Sequence, residues 1–113
     1  MKVLDLVLKC KWFDMFASGE KNEEYRKDSP YWIRRLTNLD LDYLPFSYRY
    51  HYQPIPFKDY THVRLHRSYT NTTLLFELVG MCYDYGNSHL GAPDEKVFIL
   101  KTGKLCNETM KSS

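Results

Sequence analysis

Apolar and polar positions alternate over residues 2–9, KVLDLVLK, with Leu4, Leu6 and Leu8 on one side and Asp5 and Lys9 on the other. That two-residue period predicts a strand. The next run, KWFDMFAS (11–18), predicts a short helix, with Trp12, Phe13 and Phe16 turned to the core and Gly19 at its C′ position. EEYRK then fits a short strand. Ser29 followed by Pro30 supplies an N-cap and an N1 proline for a second helix, PYWIRRL. Residues 40–60, DLDYLPFSYRYHYQPIPFKDY, hold three prolines among dense aromatics and predict a long excursion with little regular structure. Alternation returns in THVRLHR (61–67), TLLFELVGM (73–81) and KVFILK (96–101), with a Gly/Pro-rich loop, YGNSHLGAPD, between the last two. The polar tail from Lys104 is expected to fray. The sum is an α+β fold: a small closed or half-closed β-barrel of five to six strands, with two short helices near the N-terminus. A single domain over residues 1–103 accounts for the pattern.

Composition changes this picture little. At 113 residues, 43% hydrophobic and 27% charged, the chain is ordinary for one globular domain. Three cysteines without CxxC spacing argue against a disulfide framework and for a reducing compartment. There is no apolar leader pattern and no run of 18 apolar residues, so the expectation is a cytoplasmic protein with no membrane partner. Ten tyrosines are the unusual feature, because a tyrosine ring offers a stacking face with a polar handle. Tyr43, Tyr48, Tyr50 and Tyr52 alternate with Arg49 and His51 in the excursion, which fits either packing against the barrel or a platform for bases.

The net charge of +2 is too small to indicate nucleic acid. One local patch says more. No acidic residue stands between Asp59 and Glu77, where His62, Arg64, His66 and Arg67 crowd onto one predicted strand. His62 and His66 lack a third ligand at zinc spacing, so neither a metal nor another cofactor is assigned.

The most concentrated chemistry is SGEKNEEYRK (18–27), in which Gly19, Lys21, Glu24 and Arg26 spell G-x-K-x-x-E-x-R. A solvated turn with surface ion pairs is the competing reading. If the segment is extended, however, Glu24 and Arg26 share a face and touch, with Lys21 reaching in from the turn. The pattern follows a strand and a short helix, and it resembles the signature of ASCH domains, a group within the PUA-like β-barrels. The flank LKCKWFDMFASGEKNEEYR has that family's strand-helix-motif order, and VFILKTG resembles its closing strand. The segments HVRLHRSYTNTTLLFELVGM and GAPDEKVFILKTG look like those of small bacterial and phage members. The resemblance implies a cleft between barrel and helices that holds RNA, a nucleotide or a modified nucleoside. The motif's charged groups, Lys21, Glu24 and Arg26, would line that cleft. From the residues themselves, Gly19 would bring backbone close to the ligand, and Tyr31 or Trp32 at the start of the second helix would stack on it. Arg64, His66 and Arg67 would extend the positive surface.

One branch of that family hydrolyses N4-acylated cytidines with the motif lysine as proposed nucleophile, helped by a Thr and a Glu. The resemblance therefore carries an alternative in which Lys21 and Glu24 are catalytic. Glu24 stands where that branch has its Thr, and Glu77, Asp94 and Glu95 all compete for the role of its Glu. Anionic neighbours should hold Lys21 as ammonium, which ranks binding ahead of hydrolysis. A protein-interaction module is the third reading.

Overall fold

The computed structural model describes residues 1–39 and 55–109. Strand β1 (Val3–Leu8) leads into helix α1 (Cys10–Ser18), then strand β2 (Glu23–Arg26) and helix α2 (Pro30–Leu36). Strands β3 (His62–Arg67), β4 (Thr73–Tyr85) and β5 (Lys96–Thr109) follow, with a 3₁₀ turn at Ser88–Leu90 between the last two. The strands form one sheet in the order β1-β3-β4-β5-β2, in which β1 runs parallel to β3 and the other pairs are antiparallel. The fold is α+β: a curled five-stranded half-barrel with two helices. Among the described residues, no helix is long and apolar enough to cross a membrane.

Local chemistry places the helix ends. Gly19 stops α1 at φ 85, a left-handed conformation that costs other residues energy, and its N–H donates to Phe16 O. Ser29 Oγ accepts from Trp32 N to cap α2, with Pro30 in the first turn. Alternation drives the rest. Leu4, Leu6, Leu8, Val63, Leu65, Leu74, Phe98 and Leu100 point inward, and Phe13, Phe16, Ile33 and Leu36 cover them from the helices. Each such side chain contributes about 1.5–3 kcal/mol on leaving water. The pairing of β4 with β5 slips three times between Leu75 and Gly80, and such bulges bend a sheet toward a barrel.

Two expectations are corrected. Strand β4 continues past Met81 to Tyr85, and the tail expected to fray from Lys104 remains in β5 as far as Thr109, opposite Thr73–Phe76. A backbone ladder needs no apolar side chains, so a polar composition did not predict its end. Of the excursion, residues 40–54 lie outside the described residues. Its far end is ordered, with Ile55 buried and Phe57 bridged to Thr37.

Strands β1 and β2 are the two edges of the sheet, and the curl brings them near each other. Across the seam, Arg26 Nη2 on β2 donates to Val7 O of β1 at 3.2 Å. From α2, Arg35 Nη2 donates to Asp5 O at 3.2 Å. Side chains thus take the edge carbonyls that a sixth strand would have taken.

Candidate functional site

A cleft of about 240 Å³ lies at this seam, lined by Trp12, Lys21, Glu24, Tyr25, Arg26 and Gly91 among others. Each element delivers one part. The turn after Gly19 carries Lys21, whose N–H is fixed on Met15 O at 3.1 Å. Strand β2 carries Glu24 and Arg26 on the same face, two residues apart, as its pleat requires. The 86–92 loop closes one side, where Leu90 O accepts from Lys21 Nζ.

The sequence expectation of a Glu24–Arg26 contact holds. Arg26 Nη2 donates to Glu24 Oε2 at 2.7 Å, while Glu24 Oε1 lies 3.7 Å from Lys21 Nζ. The three side chains are only 1%, 10% and 17% exposed for Lys21, Glu24 and Arg26. They are not a solvated turn. Lys21 Nζ also sits 4.4 Å from the Tyr25 ring centroid, 5.1 Å from that of Trp12 and 5.7 Å from that of Phe16. This is a cation held against aromatic faces.

Electrostatics reverse one expectation. The carboxylates beside Lys21 should raise its pKa, and Glu24 does act in that direction. Burial nevertheless outweighs it and pushes the Lys21 amine below its ordinary value. The sequence shows which charges are near but not how much water they lose. Burial also raises the Tyr25 phenol, whose Oη donates to Glu23 Oε1 and accepts from Asn87 N.

The other nominated residues divide. Gly19 ends the helix but does not line the cleft, and a Cβ there would meet nothing within 4 Å. Trp32 packs on the Arg26 guanidinium, 4.8 Å from ring centroid to Cζ, and Tyr31 meets Trp32 edge-on at 4.9 Å. Arg64, His66 and Arg67 are not brought to the Lys21 cleft. Asp5 Oδ1 takes Arg64 Nη1 at 3.3 Å and His66 Nε2 at 2.8 Å. Asp14 takes Arg67 through two bonds of 2.9 and 3.0 Å. Glu77, Asp94 and Glu95 line neither this cleft nor its neighbour beside α2.

Sequence reasoning missed the 86–92 loop as a wall of the site, and it assigned Trp12 to the core alone. The available signal was the pair of loop glycines. Gly91 has φ 101, and a Cβ there would sit 2.9 Å from the Trp12 ring; at Gly86 it would sit 2.6 Å from Tyr25. Glycine is needed where a loop backbone lies directly on ring faces. No family model, curated protein or solved structure matches the chain.

Proposed function

We propose that this chain is a PUA-like, ASCH-type domain that binds RNA, or a nucleotide or modified nucleoside, in the Lys21 cleft. The observation that carries the reading is the buried Lys21–Glu24–Arg26 set, wedged between the rings of Trp12, Tyr25 and Trp32. The planar fork and the carboxylate fix each other through a 2.7 Å hydrogen bond, and the donors and lone pairs left over are the ones a base edge would meet. Rings on the walls offer stacking faces, and Lys9 at the rim adds positive charge for phosphate. The G-x-K-x-x-E-x-R resemblance supports the same assignment.

One observation favours a second reading. Burial lowers the Lys21 pKa, so a neutral nucleophilic amine is nearer to hand than the neighbouring carboxylates suggest. In that reading the chain hydrolyses an N4-acylated cytidine, consuming one water and releasing cytidine and a carboxylic acid. Binding ranks first because Lys21 Nζ is covered and committed to Leu90 O, so a substrate carbonyl reaches it only if the 86–92 loop shifts.

The test pairs equilibrium binding of short RNA and nucleotides with release of cytidine from N4-acetylcytidine, for wild type and Lys21→Arg. Binding by wild type, weakened by the wider fork of arginine, with N4-acetylcytidine left intact, is the expected result. Efficient wild-type conversion abolished by Lys21→Arg makes the protein an enzyme instead. Absence of any nucleotide or RNA binding removes the leading reading.

A further inference from the structure

The Lys21 cleft does not end at Arg26. A roomier cleft of about 470 Å³ adjoins it and shares Val7, Leu8, Lys9 and Arg26. Its remaining walls are Asp5 and Leu6 from β1, Tyr31, Trp32 and Arg35 from α2, and Ser68 and Tyr69 from the turn between β3 and β4. Val7, Tyr31 and Tyr69, which line it, are 43%, 58% and 92% exposed. The other exposed large apolar side chains among the described residues, Met1, Val79, Tyr85 and Leu105, line neither cleft. A scattered exposed ring needs no explanation, whereas several gathered along one cleft point to something that covers them.

These rings stand on fixed supports. The Tyr31 hydroxyl accepts from Arg35 Nη1 at 3.2 Å. Beside Tyr69, Ser68 adopts φ 50, which non-glycine residues do at a cost, and its N–H donates to Leu8 O at 2.7 Å. The turn that carries Tyr69 is thereby anchored to the end of β1.

Charge selects the occupant. Lys9, Arg26 and Arg35 are the cations of the lining, and Asp5 is its one carboxylate, already engaged by Arg64 and His66. Arg26 stands where the two clefts meet. Its Nη2 is taken by Glu24 and Val7 O, and its Nε is buried with no hydrogen-bond partner among the described residues. The Nε has almost no accessible surface, so the guanidinium acts on an occupant of either cleft through its charge and not through that donor. Cations at the junction with aromatic faces on either side match a phosphodiester flanked by two bases.

We infer that the two clefts are adjoining subsites for consecutive nucleotides of one strand. One base enters the Lys21 cleft, the linking phosphate lies over Arg26 and Lys9, and the next base packs against Tyr31 and Tyr69. This rests on the nucleotide reading of the first cleft and narrows it: the ligand is an oligonucleotide and not a free nucleoside.

Trp12 and Trp32 are the two tryptophans of the chain, one at each cleft, so their fluorescence reports the titration. Ribonucleoside 5′-monophosphates are compared with the matching 5′-phosphorylated homodinucleotides, on wild type, Tyr69→Ala and Tyr31→Ala. The best dinucleotide is expected to bind roughly tenfold tighter than its mononucleotide, the scale of one added stacking contact. Tyr69→Ala, which alters an almost fully exposed ring, is expected to remove that advantage while leaving mononucleotide affinity and Tm unchanged. A dinucleotide no tighter than the mononucleotide, or a Tyr69→Ala variant that loses affinity for both alike, overturns the second subsite and leaves the first standing. If neither class binds, both proposals fall.

Discussion

Two groups of opposite charges in this molecule use the same chemistry and stand in different solvents. Lys21, Glu24 and Arg26 meet at the seam, where their side chains are between 1% and 17% exposed. Asp5 with Arg64 and His66, and Asp14 with Arg67, meet on the outer surface, where the side chains are between 30% and 56% exposed. The shortest separations are nearly equal: 2.7 Å for Arg26–Glu24, 2.8 Å for His66–Asp5 and 2.9 Å for Arg67–Asp14. Distance therefore does not distinguish the groups. Water does. Exposed pairs are screened and interchangeable with solvent, whereas a buried set has given up its hydration and is costly to break wherever a charge is left uncompensated. The basic residues Arg64, His66 and Arg67 crowded on β3 have carboxylate partners on that outer surface and do not line the Lys21 cleft.

The largest effect expected from this contrast is at Glu24. Glu24→Gln keeps the shape but leaves two cations without their shared carboxylate at a buried position. A loss of about 3 kcal/mol in urea unfolding is expected. A loss within the range of the surface pairs would show that the seam is wetter than its burial implies.

Lys21→Met comes next and behaves differently. It removes one cation while Glu24 keeps Arg26 at 2.7 Å, so no charge is left alone. Its stability at neutral pH is expected to stay within about 1 kcal/mol of wild type, while ligand binding is lost. The pH dependence sharpens the point. Burial holds the folded-state pKa of Lys21 below the 10.5 of an open chain. Between those two values the unfolded chain holds the proton that the folded chain has released, so wild-type stability rises with pH through that window. The desolvation cost is fully present below the folded pKa and gone above 10.5, and methionine never bears it. Wild type should accordingly gain on Lys21→Met as pH is raised toward 10.5. A constant difference from neutral pH upward would contradict the lowered pKa.

The smallest effects are expected on the outer surface. Arg64→Ala should cost less than about 1 kcal/mol, and that cost should shrink in high salt. Arg67 holds the Asp14 carboxyl below its ordinary pKa through a direct hydrogen bond. That contribution is present above the unfolded carboxyl pKa and is lost as pH falls through the folded value. Mononucleotide affinity, which the Lys21 cleft sets, should be unchanged in Arg64→Ala and in Arg67→Ala. A marked fall in either would return the β3 patch to the site.

What the sequence made legible was local. Gly19 announced the end of α1, Ser29 and Pro30 the start of α2, and the two-residue period marked β1 and β3. The i, i+2 relation of Glu24 and Arg26 put both on one face without any tertiary knowledge. What stayed hidden was long-range. Arg64 and His66 meet an aspartate 59 and 61 positions away, and Arg67 meets one 53 away. No local pattern names such partners. The covering of Lys21 was hidden for the same reason, since Leu90 arrives from 69 positions along the chain. Desolvation is a property of that meeting and not of either segment.

The guanidiniums that cross the seam carry one consequence for the molecule among its own copies. An open sheet ends in a strand whose free carbonyls can recruit a neighbour's backbone, the first step of edge-to-edge aggregation. On β1 those carbonyls at Asp5 and Val7 are occupied by Arg35 and Arg26, which also place charge where an incoming strand would have to lie. Arg26 thus serves two ends at once, as a candidate ligand contact and as a guard on solubility. A change there made to alter recognition also unseals the edge.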